Sequence, residues 1–570
     1  MFLLCIINLL YMHYYIFCTC DIEAETEATS FIDNICAIII DIILLLLLFT
    51  SITRKPKYSI LLCFLTTTTW SFCNILYSRF FFRYISFSSI GQANNLLDWF
   101  LIECMIDGLR ISDIYFVVVT ILFIIFYKKC ASTLKFSTKN LRYSIITIFT
   151  LIAINISAHL LFCISSPEFR YLSYFKYRLY FTHIDNSRNM GRPNWTNFHR
   201  GSLRTLLTDM AVDLYGDITL TSEQENAITQ YINTNKGVTT AHHVTSNIQN
   251  IIFILVESYT AFTTNMIIDG KEVTPFLNSL IKEPNVYYNG KMKSNITIGQ
   301  SSDGQFLYMT GLLPLRSIIT VSRAKQNTLL ALPKMIKKYN PDIETRMVIP
   351  TLPTLWEQDK ICQTYGFDHL YSSNDFIGKH ERNLNDEQVF LLSEKIDKES
   401  SKAFLSVILT MSMHGPYNSP IDQDFIISNK KYCPELNNFL NVCHYTDRQI
   451  KKYISHLKNC HLYDNSLIII APDHQVPENT VDTEQYGITR ELPLFIINGN
   501  INNQEAWNGE CNQLDVYTTI LDLLGISSTW HGLGSTLLTK NYLNSLTSDK
   551  WDLSEWILLS NFFKKHPEIK

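Results

Sequence analysis

The sequence has no long basic run, no zinc-finger spacing and no ladder of alternating aromatic and basic residues, which excludes the usual nucleic-acid readers. Charge of either sign is scarce in excess. The formal net charge is −4 over 570 residues and is spread along the chain, so it points to no particular partner. There is no internal repeat and no low-complexity tract, which excludes a solenoid or an array. Paired cysteines are missing too. Of 14 cysteines, Cys362, Cys433, Cys443, Cys460 and Cys511 fall beyond residue 165, and none of these forms a CxxC pair. Their odd number argues against a disulfide framework, although one bridge stays open outside the cytoplasm. They read mostly as buried apolar side chains.

Long apolar runs are present, all within the first 165 residues: 2–18, 35–52, 58–77, 112–127 and 144–164. Runs of this length imply membrane helices, about five of them. No small-residue cleavage site clearly follows the first, so it reads as a span and not as a signal peptide. Arg54, Lys55 and Lys57 follow the second run; Lys128, Lys129, Lys135, Lys139 and Arg142 follow the fourth. The first loop is acidic, with Asp21, Glu23, Glu25 and Glu27. Basic loops stay in the cytoplasm, so five spans place everything after residue 165 outside it. The expected organisation is an anchor over 1–165, a polar connector over 166–247, an α/β domain over 248–545 and a tail over 546–570. A helix capped by Ser222 closes the connector at 222–234.

In the α/β portion, short buried runs alternate with helical patterns. Ile251–Val256 is too apolar for a half-exposed strand and reads as central in a parallel sheet. Similar runs stand at 346–349, 404–409, 467–470 and 494–497. Helices are expected between them at 274–283, 303–313, 328–339, 355–365, 387–398, 437–459 and 513–524. Alternation of this kind implies a doubly wound domain, whose ligands sit at the carboxyl ends of the strands. Glu257 and Ser258 follow the first run, His414 follows 404–409, and Asp473-His474 follows 467–470. Each alone reads as a surface or satisfied polar residue; three on one sheet edge make a divalent-metal site of the type that suits manganese, magnesium or zinc.

Between these ends lies Thr297-Ile298-Gly299-Gln300-Ser301-Ser302-Asp303-Gly304-Gln305-Phe306. Its glycines allow a sharp turn, and a hydroxyl at the following helix start meets free backbone N–H groups. The ordinary alternative is an N-cap by Ser302 or Asp303.

Val256-Glu257-Ser258, Thr274-Pro275-Phe276-Leu277, Gly299–Phe306, His414-Gly415-Pro416 and Pro472-Asp473-His474 together resemble, in order and spacing, the lipoteichoic acid synthase-like proteins. These are membrane-anchored members of the alkaline phosphatase/sulfatase superfamily. The resemblance implies Ser301 as nucleophile in place of the more usual threonine. It implies Glu257, Asp473, His474 and Ser301 as metal ligands, with manganese first among the candidates. It also implies His414 at the transferred phosphate or leaving group, and Trp356 in the substrate pocket. The activity implied is transfer of a phospholipid head group, phosphoglycerol or phosphoethanolamine, to an envelope glycan or lipid acceptor. The enzyme would sit in the plasma membrane as a multi-pass protein with its site outside.

Two departures fall on the substrate side. Gln358 stands where the synthases carry arginine two residues after the tryptophan, and Val348-Ile349-Pro350-Thr351 lacks an expected histidine. A sulfatase or phosphodiesterase-type hydrolase is the alternative. Sulfatases need Cys/Ser-x-Pro-x-Arg, however, and the nearest string, Leu312-Leu313-Pro314-Leu315-Arg316, begins with leucine. A degenerate scaffold would have lost part of the set Glu257, Ser301, Asp473 and His474, and all four are present.

Overall fold

The computed structural model describes residues 1–20, 28–81, 83–86, 106, 108–130, 194, 197–198, 201–206, 210, 217–235, 248–316, 318–376, 383–428, 431–476, 485–543 and 546–569. The chain divides into two compact units, Met1–Gly216 with Arg316–Ile318, and the remainder from Asp217 to Lys570.

The first unit holds helices α1 (Phe2–Thr19), α2 (Ala28–Thr53), α3 (Pro56–Phe81) and α4 (Ile114–Cys130). Four stretches, Phe2–Thr19, Asn34–Thr53, Pro56–Arg79 and Ile111–Lys129, are long and apolar enough to cross a membrane. They correspond to the first four expected runs. The fifth, 144–164, lies outside the described residues, as does the acidic loop 21–27. Several polar groups inside the bundle are paired with one another. Asn8 Nδ2 donates to Thr68 Oγ1 at 2.7 Å, and Tyr115 donates to Asn8 Oδ1 at 3.1 Å. Buried Asp41 of α2 accepts from Arg204 Nε at 2.7 Å. Away from water such groups are stable only with a partner, so each pair fixes which helix faces meet.

The second unit is built on an eight-stranded sheet. Its strands are β1 (Asn250–Val256), β4 (Val286–Lys293), β5 (Glu344–Val348), β6 (His369–Tyr371), β7 (Phe404–Leu409), β8 (Ser466–Pro472), β9 (Leu492–Ile497) and β10 (Cys511–Asn512). A small hairpin, β2 (Ile267–Ile268) and β3 (Lys271–Glu272), stands apart. The order is β10-β4-β9-β8-β1-β7-β5-β6. All seven residues of β1 are buried, and it pairs in parallel with β7 and β8, as its composition predicts. The sheet is mixed, not wholly parallel: β9 runs antiparallel to both of its neighbours, β8 and β4.

Strands β4, β6 and β10 escape the sequence reading. β4 contains Gly290 and slips register between Asn289 and Met292, and the other two span three and two residues. Each is too short or too irregular to carry a period-two signal.

Both sheet faces are covered. Ile252, Ile254 and Val256 join a core with Phe439, Leu440, Ile450 and Tyr453 of the helix Pro434–Asn459. On the other face, Phe253 meets the Tyr308 ring, with centroids 5.1 Å apart, on the helix Ser301–Thr310. Alternation along one strand thus fixes a helix on each side. The helix Ser222–Thr234 is capped by Thr221 and not Ser222. Thr221 Oγ1 accepts from the Gln224 amide, and the Gln224 side chain accepts from the Thr221 amide. Within the second unit this helix reaches the Gly532 carbonyl through Tyr231 and packs against Ser548–Ser560. Of the five outer cysteines, Cys362, Cys443 and Cys511 are buried, Cys433 is half-buried and Cys460 is exposed; all are free thiols.

Candidate active site

Register places the site. Val256 lies opposite Pro472, so Glu257 and Asp473 leave adjacent parallel strands at the same level. The Glu257 amide donates to Thr410 Oγ1, at the end of neighbouring β7, at 3.0 Å. Three strand ends are thereby stitched into one edge.

The turn before Ser301 is held by a carboxylate. Asp303 Oδ2 accepts from the Thr297 amide (2.9 Å), the Thr297 hydroxyl (2.8 Å) and the Gly299 amide (2.9 Å), and Oδ1 accepts from Thr320 (2.8 Å). Burial raises its pKa, and these donors work against that rise. Neither Ser302 nor Asp303 is the helix N-cap. That position belongs to Gln300, at φ 47°, with no side-chain cap. Ser301 therefore opens the helix with its hydroxyl uncommitted to capping.

Glycine is required one turn later. A Cβ on Gly304 would lie 2.0 Å from the Asp473 carbonyl oxygen. The helix can approach the end of β8 this closely only because the side chain is absent. Gln513 fixes the same carbonyl from another direction: its Nε2 donates to Asp473 O at 2.7 Å, and its Oε1 accepts from the Asn295 amide at 2.9 Å.

The result is a convergence of four side chains. Ser301 Oγ is 3.2 Å from Glu257 Oε2 and 3.1 Å from His474 Nε2. His474 Nε2 is 3.3 Å from Glu257 Oε1 and 3.8 Å from Asp473 Oδ2. Glu257, Asp473 and His474 are all buried and offer ligand atoms within 4.8 Å of one another. His474 Nδ1 lies 2.7 Å from the Gln475 carbonyl, so in a neutral ring facing a cation Nδ1 would carry the proton and Nε2 would offer its lone pair.

The electrostatics are those of a crowded anionic site. Burial pushes Asp473 up to about 7, and the Glu257 charge adds to the shift. Burial acts on Glu257 in the same sense, but the His474 hydrogen bond and charge outweigh it and hold the carboxyl at about 2. Burial disfavours the charged imidazole of His474, yet its two carboxylate neighbours push it up to about 10. Two buried carboxylates sharing one imidazole are short of positive charge. A divalent cation would supply it, and the donors present, carboxylate oxygens with one imidazole nitrogen, fit such an ion.

His414 lies close enough for its charge to favour ionised Glu257, and its Nδ1 is 2.8 Å from the Gly415 carbonyl. Trp356 is placed differently. It sits in a turn at φ 51°, ψ 25°, followed by Glu357 at φ 51°, and this break divides the single helix expected over 355–365. Glu357 is clamped by Lys325 at 2.7 Å and Lys360 at 2.8 Å. Gln358 is buried and exchanges amide hydrogen bonds with Gln305, at 2.9 and 3.2 Å. The turn carrying Trp356 is thus tied to the Ser301 helix by a neutral amide pair. Thr410, Gln513 and the bonding role of Asp303 had no signal in the sequence, since each acts through a partner fixed only by the fold.

Residues 249–526 match the family described as Sulfatase. Among curated proteins, the chain is 26% identical over 313 residues to lipoteichoic acid synthase 2 of Bacillus subtilis, a match covering 52% of this chain and 48% of that protein. It is 26% identical over 517 residues to lipoteichoic acid synthase of Staphylococcus aureus, covering 83% of this chain and 71% of the relative. The chain therefore spans about half the length of the first relative and more of the second. Among solved structures, the integral membrane lipooligosaccharide phosphoethanolamine transferase A of Neisseria meningitidis aligns with TM-score 0.53 at 14% identity, covering 93% of this chain and 96% of that one. At that identity the likeness is one of fold: apolar helices followed by an α/β domain of this type.

Proposed function

We propose, from the premise that residues 249–526 of this chain are a sulfatase-family domain, that the protein is a membrane-anchored, metal-dependent phosphotransferase. It moves a phospholipid head group, phosphoglycerol or phosphoethanolamine, to an extracytoplasmic glycan or lipid acceptor through a phosphorylated Ser301. The observation that carries this reading is the Ser301 hydroxyl, 3.2 Å from Glu257 and 3.1 Å from His474 at a buried cluster fit for a cation. The relatives named lipoteichoic acid synthase support the same kind of reaction.

Glu257, Asp473, His474 and Ser301 would hold the ion, manganese by preference, with magnesium or zinc as alternatives. When bound, such an ion lowers the pKa of a ligating hydroxyl and offsets charge on a phosphoryl oxygen. Ser301 Oγ attacks phosphorus in line; the Oγ–P bond forms and the bond to the diacylglycerol oxygen breaks. The leaving oxygen takes up a proton and departs as diacylglycerol, with His414 placed at the phosphate or leaving group. A second alcohol then attacks the phosphoserine and frees Ser301. Trp356 lines the substrate side.

A pocket with Gln358 in place of an arginine should favour a singly charged diester over a doubly charged monoester, whose extra charge would be desolvated without a partner. The test is diacylglycerol release by the full chain from vesicles of labelled phosphatidylglycerol or phosphatidylethanolamine, beside cleavage of aryl sulfate and p-nitrophenyl phosphate. Diacylglycerol should form readily while the other two substrates turn over poorly. Fast sulfate release with no diacylglycerol would restore the sulfatase reading.

The site is proposed to face outward from the plasma membrane. Arg54 and Lys55 between α2 and α3, Lys57 in the first turn of α3, and Lys128 and Lys129 ending α4 support this orientation, with the apolar run 144–164 expected to carry the chain back out. Protease added to intact spheroplasts should digest the chain beyond residue 165 and spare the 53–58 loop. A protected α/β domain would end the proposal of an outward-facing site.

A further inference from the structure

Ser258 combines three features. It is buried at 2% exposure, its backbone lies at φ 53°, and it contacts both carboxylates of the cluster. Its hydroxyl donates to Glu257 Oε1 at 2.7 Å, and its amide donates to Asp473 Oδ1 at 2.9 Å. A left-handed backbone disfavours every residue with a Cβ and suits glycine. Serine at this position therefore carries a strain that glycine would relieve, and its hydroxyl is what glycine could not provide.

The bonds decide which oxygens face inward. The Ser258 hydroxyl donates to Glu257 Oε1, which also lies 3.3 Å from His474 Nε2, while Oε2 is the oxygen 3.2 Å from Ser301 Oγ. Asp473 Oδ1 takes the Ser258 amide and the His474 amide, at 2.9 and 2.7 Å. Oδ2 is then the oxygen left toward His474 Nε2, 3.8 Å away. A single residue thus orients carboxylates that arrive on two different strands.

We infer that Ser258 is a positioning residue, whose hydroxyl and strained amide turn one oxygen each of Glu257 and Asp473 toward a shared cation. The inference rests on the metal-site reading proposed above. It differs from that reading because Ser258 itself is not a ligand. Partners that orient ligands typically contribute ten- to a hundred-fold in metal affinity.

The experiment uses the full chain in detergent, stripped with EDTA and titrated calorimetrically with Mn²⁺, for wild type, Ser258→Ala and Ser258→Gly. Both variants should bind Mn²⁺ about ten- to a hundred-fold more weakly. The metal-free Ser258→Gly protein should melt no lower than wild type, because its backbone is relaxed. If Ser258→Ala fails to fold, the glycine variant decides alone. Wild-type Mn²⁺ affinity in Ser258→Gly would overturn the inference and leave the metal site standing. A lower melting temperature in metal-free Ser258→Gly would make Ser258 a structural residue and overturn it as well. A wild-type chain that takes up no Mn²⁺ would remove the metal reading, and this inference with it.

Discussion

Ser301→Ala is expected to lower diacylglycerol release on the order of 10⁴-fold or more, because nucleophile and activating groups act as one unit. The fold should survive. Ser301 makes no side-chain cap, so the substitution removes only its bonds to Glu257 and His474, about 1 kcal/mol of stability. Ser301→Thr keeps the hydroxyl and should retain substantial turnover. The measurement pairs vesicle assays of the three proteins with thermal melts. Intact-protein mass after exposure to phosphatidylglycerol should show an adduct on wild type that is missing from Ser301→Ala. An alanine variant within ten-fold of wild-type activity would exclude Ser301 as nucleophile and redirect attention to a water held by the same cluster.

How much of this was legible follows from the kind of signal each residue carries. Strands β1, β7 and β8 could be read because a fully buried strand is a short, continuous β-branched run, and chemistry collects at the ends of such runs. That route placed Glu257, His414, Asp473 and His474 just past strand ends, and the structure brings Glu257, Asp473 and His474 together. Ser301 needed its glycine-rich setting, and the helix start fell at residue 301 instead of 303 because Asp303 turns back to hold the preceding turn. Thr221 displaced Ser222 as a cap by a shift of one hydroxyl residue.

What stayed hidden depends on partners far apart in sequence. The Ser258 amide meets a carboxylate 215 residues away, and Gln513 reaches the Asn295 amide across 218. The break at Trp356 goes with a lysine clamp on Glu357, one arm of which comes from residue 325. No local period reports such contacts.

Asp473→Asn separates the two oxygens of the most crowded proposed ligand, and the expected result is a protein that folds but no longer takes up metal. Asparagine keeps an Oδ1 acceptor for the Ser258 and His474 amides, which hold the wild-type carboxylate at 2.9 and 2.7 Å. Only Oδ2, the oxygen 3.8 Å from His474 Nε2, becomes an amide nitrogen with no lone pair for a cation. Affinity for Mn²⁺ should fall on the order of 100-fold or more, beyond the effect of losing a supporting partner. Stability supplies a second readout. Wild type at 100 times its Kd for Mn²⁺ should gain about 2.7 kcal/mol over the EDTA-treated protein, a gain lost in Asp473→Asn at the same metal concentration. His474→Ala should behave likewise, since it removes the nitrogen whose lone pair the Gln475 carbonyl keeps available. EDTA should arrest diacylglycerol release by wild type, and Mn²⁺ should restore it. An EDTA-treated enzyme that works at the full rate would show that Ser301 is activated by His474 and Glu257 alone, through the 3.1 and 3.2 Å contacts they already make.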